Sequence, residues 1–227
     1  MLMLAASLTQ TSHANPLIDY FLKGGPIMWP ILAVSIVAFT VIAERIIWWS
    51  REKRRREPEK VEKVFACVES GDLKQASTLS RSSEDPVLRM MWHGLNHYHA
   101  SLEGALQVAA GIEVQRASRF LPVMDTIITL APLLGLLGTV TGIMGAFRAV
   151  GESGLDPNAV SGGIGEALIA TAAGLGIAMI TLIPYNYFTS KVERLKFELE
   201  TASTNVVVMT DALGKDKLHA TELQHAG

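Results

Sequence analysis

The chain has 227 residues, of which 49% are hydrophobic and 19% charged, and its mean hydropathy is +0.28. This composition is too apolar for a typical soluble domain and too charged for a protein that lies wholly in a membrane, so a mixed protein is expected. The formal net charge of -2 excludes the global basic field of many nucleic-acid-binding proteins, and the single cysteine, Cys67, excludes an intrachain disulfide.

Residues 1–26 are expected to form an external N-terminal segment. Residues 1–14 combine a short apolar start with a small-residue end, as a signal peptide does, but they lack a basic region, so cleavage is the less favoured alternative. Residues 15–23 then place apolar side chains on one helical face. This pattern predicts a short helix along the outer interface of the membrane, ended by the glycines that begin at Gly24.

Three apolar segments, over residues 27–49, 122–150 and 164–188, are long enough to cross about 30 Å of hydrocarbon. Glu44 and Arg45, near the end of the first segment, could snorkel to water, pair, or continue as a cytoplasmic helix. Basic residues follow the first and third segments, whereas the loop over residues 151–163 has acids but no basic residue. The pattern predicts an all-α membrane protein with its N-terminus outside and its C-terminus in the cytoplasm.

Residues 50–121 are expected to form a cytoplasmic helical domain. Apolar spacing predicts a helix over residues 59–70, and Asp85 followed by Pro86 predicts the N-cap and first turn of a helix that reaches Leu95. Another helix is predicted from about Ser101, with no breaker before the second membrane segment. That membrane helix is therefore expected to extend well into the cytoplasm.

Residues 189–227 are expected to form a cytoplasmic helical extension followed by a disordered tail. Apolar residues from Val192 to Met209 alternate steps of three and four, as in a heptad seam. The seam predicts packing against the chain's own fold or against a neighbouring subunit. From Gly214 onward the sequence is short and polar, which favours disorder.

His93 and His97 stand four residues apart, with His99 nearby, which could direct two imidazoles at one metal ion. No cysteine or carboxylate at matching spacing completes a site, so a solvated or partner-facing histidine cluster is the favoured interpretation. We expect neither a metal nor another cofactor. The sequence also has no phosphate loop, dinucleotide fingerprint or nucleophile-base constellation, which argues against an enzyme.

The second and third segments carry small residues at helical spacing, which predicts close packing between helices. These residues are Gly135, Gly138, Gly142 and Gly145 in the second segment and Ala170, Gly174 and Ala178 in the third. Pro132 lacks a backbone N–H and predicts a helix kink about one turn earlier.

Polar side chains inside these segments are candidates for function. Thr139 and Thr171 carry hydroxyl groups, although threonines in membranes often only bond to carbonyls of their own helix. Glu166 is harder to dismiss, because a carboxylate inside a spanning segment costs a few kcal/mol unless it is paired, hydrated or protonated.

The sequences LLGTVTGIMGAF and GEALIATAAGLG, with the IPYNYF that closes the third segment, resemble the ExbB/TolQ subunits of the MotA/TolQ/ExbB family of proton channels. The resemblance implies a pentamer of three-helix subunits in the bacterial inner membrane, around the membrane helices of an ExbD/TolR-like partner. It also implies that proton flow drives an envelope machine, through a TonB- or TolA-like protein. By position, Thr139 and Thr171 match the family's pore threonines and Glu166 its glutamate. Three membrane segments favour this branch over the four-segment MotA-type stators.

The residues themselves also indicate a partner. Threonine hydroxyls do not titrate near neutral pH, and Glu166, taken as the only ionisable residue deep in the last two segments, lies near one end. A mid-membrane carboxylate must then come from another chain, with Thr139 and Thr171 bonding to water or to that carboxylate and Glu166 at the mouth. A passive membrane scaffold and a solute transporter are the alternatives, although three unequal helices show none of the inverted repeats of many transporters.

Overall fold

The computed structural model describes residues 16–97, 101–153 and 157–225, and the regular structure in these ranges is entirely helical. The helices are α1 Pro16–Lys23, α2 Met28–Arg54, α3 Pro58–Glu69, α4 Leu73–Ser80, α5 Pro86–Asn96, α6 Leu102–Ala117, α7 Leu121–Ser153 and α8 Pro157–His225. The predicted all-α class is confirmed. The possible signal peptide and His99 lie outside the described residues.

Three stretches of helix are long and apolar enough to cross a membrane, which confirms the predicted number. They are Met28–Arg54, Leu121–Arg148 and Val160–Gly214. Only 22 to 28% of the most apolar window of each stretch is buried within the chain. The remaining apolar surface is therefore open to lipid or to other chains.

The chain forms two compact units. Unit 1 comprises Met1–Val41 and Val123–Ile183, and unit 2 comprises Ile42–Pro122 and Pro184–Gly227. Unit 1 contains α1 and the apolar parts of α2, α7 and α8. Unit 2 contains α3 to α6 and the remaining parts of α2 and α8.

Unit 2 has one apolar core, built by α3 to α6 and by α8. Its fully buried members include Val64, Val68, Leu88, Met90, Met91, Leu106, Leu199 and Val206. The seam between Val192 and Met209 packs on this core. Of the two alternatives for the seam, packing against the chain's own fold is the one observed.

Helices α4, α5 and α6 of unit 2 begin at side-chain caps. Asp85 accepts a hydrogen bond from the Val87 N–H at 2.8 Å, which confirms the predicted N-cap of α5. The sequence analysis missed the short helix α4, although Asp72 caps it by accepting from the Gln75 N–H at 2.9 Å. An eight-residue helix offers few apolar positions, so its periodicity is weak and the cap was the available signal.

The prediction of an unbroken helix from about Ser101 into the second membrane segment is wrong. α6 ends at Ala117 and α7 begins at Leu121. Phe120, between them, has a φ of 67°, a left-handed conformation that ends a right-handed helix. Pro122 follows in the first turn of α7, where the missing N–H is tolerated, and it was the breaker that the sequence offered.

Two other boundaries differ from the expectation. α7 runs to Ser153 and α8 begins at Pro157, so only residues 154–156, which are not described, are left between the helices in place of the expected loop over residues 151–163. α8 also continues beyond Gly214 to His225, where disorder was expected. Residues 215–225 contain two lysines, two leucines, one alanine, one glutamate and one glutamine, all of which are strong helix formers.

Candidate functional site

In unit 1, α7 and α8 approach each other closely because glycines and alanines line their contact. A side-chain carbon added at Gly135 would lie 3.0 Å from the Cα of Thr171. One added at Gly142 would lie 2.9 Å from the carbonyl oxygen of Gly163 and 3.0 Å from the Cβ of Ala167. The two backbones are thus near enough to exclude larger residues, as in other small-residue helix contacts in membranes.

The residues predicted to pack occupy different surroundings. Those in the contact between α7 and α8 are Gly135, Gly138, Gly142, Ala170 and Gly174. Ala178 is also buried, whereas a side-chain carbon at Gly145 would meet no described atom within 4 Å. A packing role for Gly145 therefore stays a prediction about contact with another chain. α7 continues through Pro132, and the kink there stays a prediction as well.

The Thr171 hydroxyl joins α8 to α7. Its Oγ1 lies 2.9 Å from the carbonyl oxygen of Gly135 on α7 and 3.1 Å from that of Ala167 on its own helix. A hydroxyl has one proton to donate, which these two carbonyls share, and two lone pairs that accept. Thr171 can therefore offer an acceptor to a further group without giving up its bond to α7.

The hydroxyls of Thr139 and Thr181 donate within their own helices. Thr139 Oγ1 donates to the carbonyl of Leu136 at 2.6 Å, and Thr181, which is fully buried, donates to the carbonyl of Ile177 at 2.8 Å. This is the local bonding that threonines in apolar helices commonly adopt. The Thr139 oxygen is partly exposed, so its lone pairs are accessible from outside the chain.

The Glu166 carboxylate lies against the turn between α1 and α2. Gly25 in this turn has a φ of +72°, and a side-chain carbon there would overlap the Glu166 Oε1. Only glycine suits this position, because it tolerates the left-handed conformation and leaves space for the carboxylate. Within the described parts of the chain Glu166 has no hydrogen bond or ion pair. Glu166 and Thr171 thus contact different neighbours, the first at the α1–α2 turn and the second at the α7–α8 contact.

The sequence analysis missed a second carboxylate in the last two spans. Asp125 is exposed and lies in the second turn of α7, inside the candidate span Leu121–Arg148. Thr129, one turn further on, donates to the carbonyl of Thr126 at 2.9 Å. The treatment of Glu166 as the only ionisable residue in these spans was therefore incomplete, and the sequence DTIIT was the available signal.

His93 lies on α5 and His97 directly follows its last residue; their ring centroids are 5.8 Å apart, and Trp92 packs against both rings. In the described ranges no three side chains of the metal-binding types come together. The solvated or partner-facing histidine cluster stays a prediction.

Comparison with known proteins assigns these helices to a family. The MotA/TolQ/ExbB proton channel family matches residues 81–201, a range that includes α5, α6, α7 and the part of α8 that carries Thr171. The chain belongs to this family. The resemblance to ExbB/TolQ subunits that the sequence indicated is thereby confirmed.

Relatives from this family span bacteria and archaea. The ExbB-like 1 biopolymer transport protein of Synechocystis sp. is 38% identical over 191 residues, which cover 81% of this chain and 73% of the relative. An ExbB homologue of Methanothermobacter thermautotrophicus is 33% identical over 193 residues, or 83% of this chain and 69% of the relative. The Tol-Pal system protein TolQ of Pseudomonas aeruginosa is 41% identical over 100 residues, or 42% and 43% of the two chains.

Proposed function

We propose that this protein is a proton channel subunit of the bacterial inner membrane. It works with a single-helix ExbD/TolR-like partner that carries a membrane aspartate, and it converts proton motive force into mechanical work. The driven machine is of the TonB-dependent import or Tol-Pal type, reached through a TonB- or TolA-like energy-transfer protein. Family membership and three apolar helices support the proposal. The observation that carries it is the position of the Thr171 hydroxyl at the close contact between α7 and α8.

A homopentamer with its N-termini outside and its C-termini in the cytoplasm belongs to the same proposal. The spanning helices leave most of their apolar surface uncovered within one chain, which supports both contacts with other subunits and contacts with lipid. The basic residues that follow α2 and the third span support the orientation.

The hydroxyl geometry indicates which form of the partner's aspartate these threonines bind. Thr171 and Thr139 already donate their protons to carbonyls of this chain, so each presents lone pairs to an incoming group. A protonated carboxyl group or a water molecule can donate to these lone pairs, whereas a carboxylate has no proton to donate. Thr139 and Thr171 therefore stabilise the proton-carrying form of the partner's aspartate while it lies in the membrane.

Glu166 occupies a separate place in the proposed pathway, against the Gly25 turn. In the proposed orientation this turn faces the outer side, where water can reach the carboxylate. Glu166 then orders water or passes protons at the entrance. A membrane potential supplies about 2.3 kcal/mol per charge per 100 mV, which is enough for each proton to bias a packed helix between two positions.

The test is proton flux in vesicles that contain this protein and a candidate single-helix partner. We expect an imposed potential and pH gradient to produce flux only when both chains are present, with the flux lost in Thr171→Val and retained in Thr171→Ser. A complex that copurifies intact but conducts no protons at any potential would contradict the proposal.

A passive scaffold is the second candidate, and one observation favours it. The hydroxyl protons of Thr139, Thr171 and Thr181 all bond to carbonyls of the same chain, as they would in a purely structural role. Under this alternative Thr171→Val lowers stability or assembly slightly and leaves energised activity in proportion to the amount of assembled complex.

A further inference from the structure

Unit 2 contains a cavity of about 220 Å³ that is rich in guanidinium groups, called here the arginine cavity. Its lining consists of Glu44, Arg45, Trp48, Glu52, Arg55, Arg89, Arg116 and Arg119. The volume corresponds to about seven water molecules at about 30 Å³ each, which is enough for a phosphoryl group and its first waters. The cavity belongs neither to the α7–α8 contact nor to the proposed proton pathway.

Arg45 is the deepest member of the arginine cavity. Its side chain is fully buried and donates to the Glu44 carboxylate at 2.8 Å and to the carbonyl of Ala117 at 3.2 Å. Its guanidinium carbon lies 5.1 Å from the ring centre of Trp48. Of the alternatives that the sequence left open for Glu44 and Arg45, pairing is observed, and α2 also continues as a helix beyond them to Arg54. A buried guanidinium held from two sides is a fixed positive charge.

A second group of charges lies around Arg89, on α5. Arg89 donates to Glu113 at 2.6 Å and to Glu52 at 3.2 Å, and both carboxylates are almost fully buried. Burial alone would lower the pKa of Arg89, but the hydrogen bond and charge of Glu113, together with Glu52, raise it above its ordinary value. Arg116 shares Glu113, at 2.8 Å. The positive charges of the two arginines in this group are therefore largely balanced by the negative charges of Glu52 and Glu113.

The charge of Arg119, by contrast, is not balanced by a described carboxylate. Four of the five arginines of the arginine cavity are paired with four carboxylates, those of Glu44, Glu52, Glu84 and Glu113. In the part of the chain that the structure describes, Arg119 has no ion pair, and its guanidinium carbon instead lies 4.8 Å from the ring centre of Phe120. Arg119 is therefore an exposed cation at the edge of the cavity whose charge no described carboxylate pairs with.

The backbone is strained at Phe120, next to Arg119 of the cavity. Phe120 has a φ of 67°, and its ring centre lies within 5.5 Å of the guanidinium carbons of both Arg45 and Arg119. A left-handed conformation is unfavourable for a bulky residue, and strain of this kind is concentrated at ligand sites and switches. Here the strained residue carries an aromatic ring that lies near two cations.

We propose that the arginine cavity binds a phosphoryl anion, with Arg119 as its main contact, Arg55 and Arg116 at its rim, and the buried positive charge of Arg45 behind them. Arginine forks match the oxygens of phosphate in two-point hydrogen bonds, and the five arginines here outnumber the four carboxylates that pair with them by one. The anion is either the headgroup of an acidic phospholipid or free phosphate. Exposed Ile46 and Ile47 follow Arg45 on the apolar helix α2, which places acyl chains within reach of the same site.

The test uses the full-length protein in a neutral detergent and measures its melting temperature in titrations. The probes are short-chain phosphatidylglycerol against phosphatidylcholine of the same chain length, and potassium phosphate against potassium chloride at equal ionic strength. We expect phosphatidylglycerol, phosphate or both to raise the melting temperature above the matched control. A rise with phosphatidylglycerol alone identifies a headgroup site, and a rise with phosphate alone identifies a site for the free anion.

Arg119→Gln removes the surplus cation without touching an ion pair, and Arg51→Gln is its matched control, because Arg51 is exposed on α2 and does not line the cavity. Arg119→Gln loses a charged hydrogen bond to the anion, so the apparent dissociation constant for the anion should rise about ten-fold or more. The control should bind as the unmodified protein does. Arg116→Gln, also at the surface, provides a second cavity variant if Arg119→Gln does not fold. No stabilisation by either probe, or equal weakening in the cavity and control variants, would overturn the proposal.

Discussion

Thr171→Val distinguishes a role of Thr171 in proton transfer from a role in helix packing alone, because valine keeps the shape of threonine and removes only the hydroxyl. The contacts of the hydroxyl determine how much stability the substitution removes. The hydroxyl proton is shared between the carbonyls of Gly135 and Ala167, at 2.9 and 3.1 Å, so one hydrogen bond is lost. Hydrogen bonds between membrane helices contribute about 0.6 kcal/mol on average and about 1.7 kcal/mol at most. The Gly135 carbonyl lies within α7, where the helix supplies its regular backbone donor.

A loss of this size shifts the melting temperature by a few degrees and leaves the fold and the partner complex intact. It cannot by itself abolish energised function. We therefore expect Thr171→Val to copurify with the partner in normal amounts and to show no proton-driven activity, whereas Thr171→Ser, which keeps the acceptor, retains much of it. Wild-type activity in Thr171→Val would refute the pathway assignment. Loss of the partner in the same variant would move Thr171 from transport to assembly.

Three further predictions concern the other sites. Glu166→Gln removes the charge but keeps the size of the side chain beside Gly25. If Glu166 acts at the entrance of the proton pathway, the variant should lose activity or shift the pH dependence of proton flux. Unchanged activity with an unchanged pH profile would indicate a structural role for the carboxylate. Gly142→Val should lower the free energy of unfolding by about 1 to 3 kcal/mol, because the larger side chain overpacks the α7–α8 contact. Gly145→Val is the control: a side-chain carbon there meets no described atom within 4 Å, so the melting temperature of the monomer should stay unchanged and only contacts between chains should be affected. Glu113→Gln removes a buried charged partner of Arg89 and Arg116, and it should lower the free energy of unfolding by about 3 kcal/mol, measured by thermal unfolding. Glu200→Gln is the control: its exposed pair with Lys196, at 3.8 Å, contributes little, so stability should hardly change. Equal losses of stability in the two variants would contradict the argument from burial.

The sequence determined the features that depend on local composition. Runs of about twenty apolar residues predict spanning helices whatever their neighbours are, and all three were found. The N-cap at Asp85 was predictable for the same reason, because a cap and its first turn lie within four residues. The motifs in α7 and α8 were also sufficient to indicate the family.

The tertiary structure decided the features that depend on distant residues. The Thr171 bond to Gly135 joins positions 36 residues apart, and Glu166 on α8 lies against Gly25 in the α1–α2 turn, so neither appears in a local pattern. The arginine cavity likewise assembles cations from α2 and the residue that follows it, from α5, from α6 and from the α6–α7 turn. The break at Phe120 was missed although Pro122 signalled it, because the apolar periodicity continues across the turn and only the left-handed backbone interrupts the helix. Periodicity reports which face of a segment is apolar, whereas packing decides where the chain turns and which side chains meet.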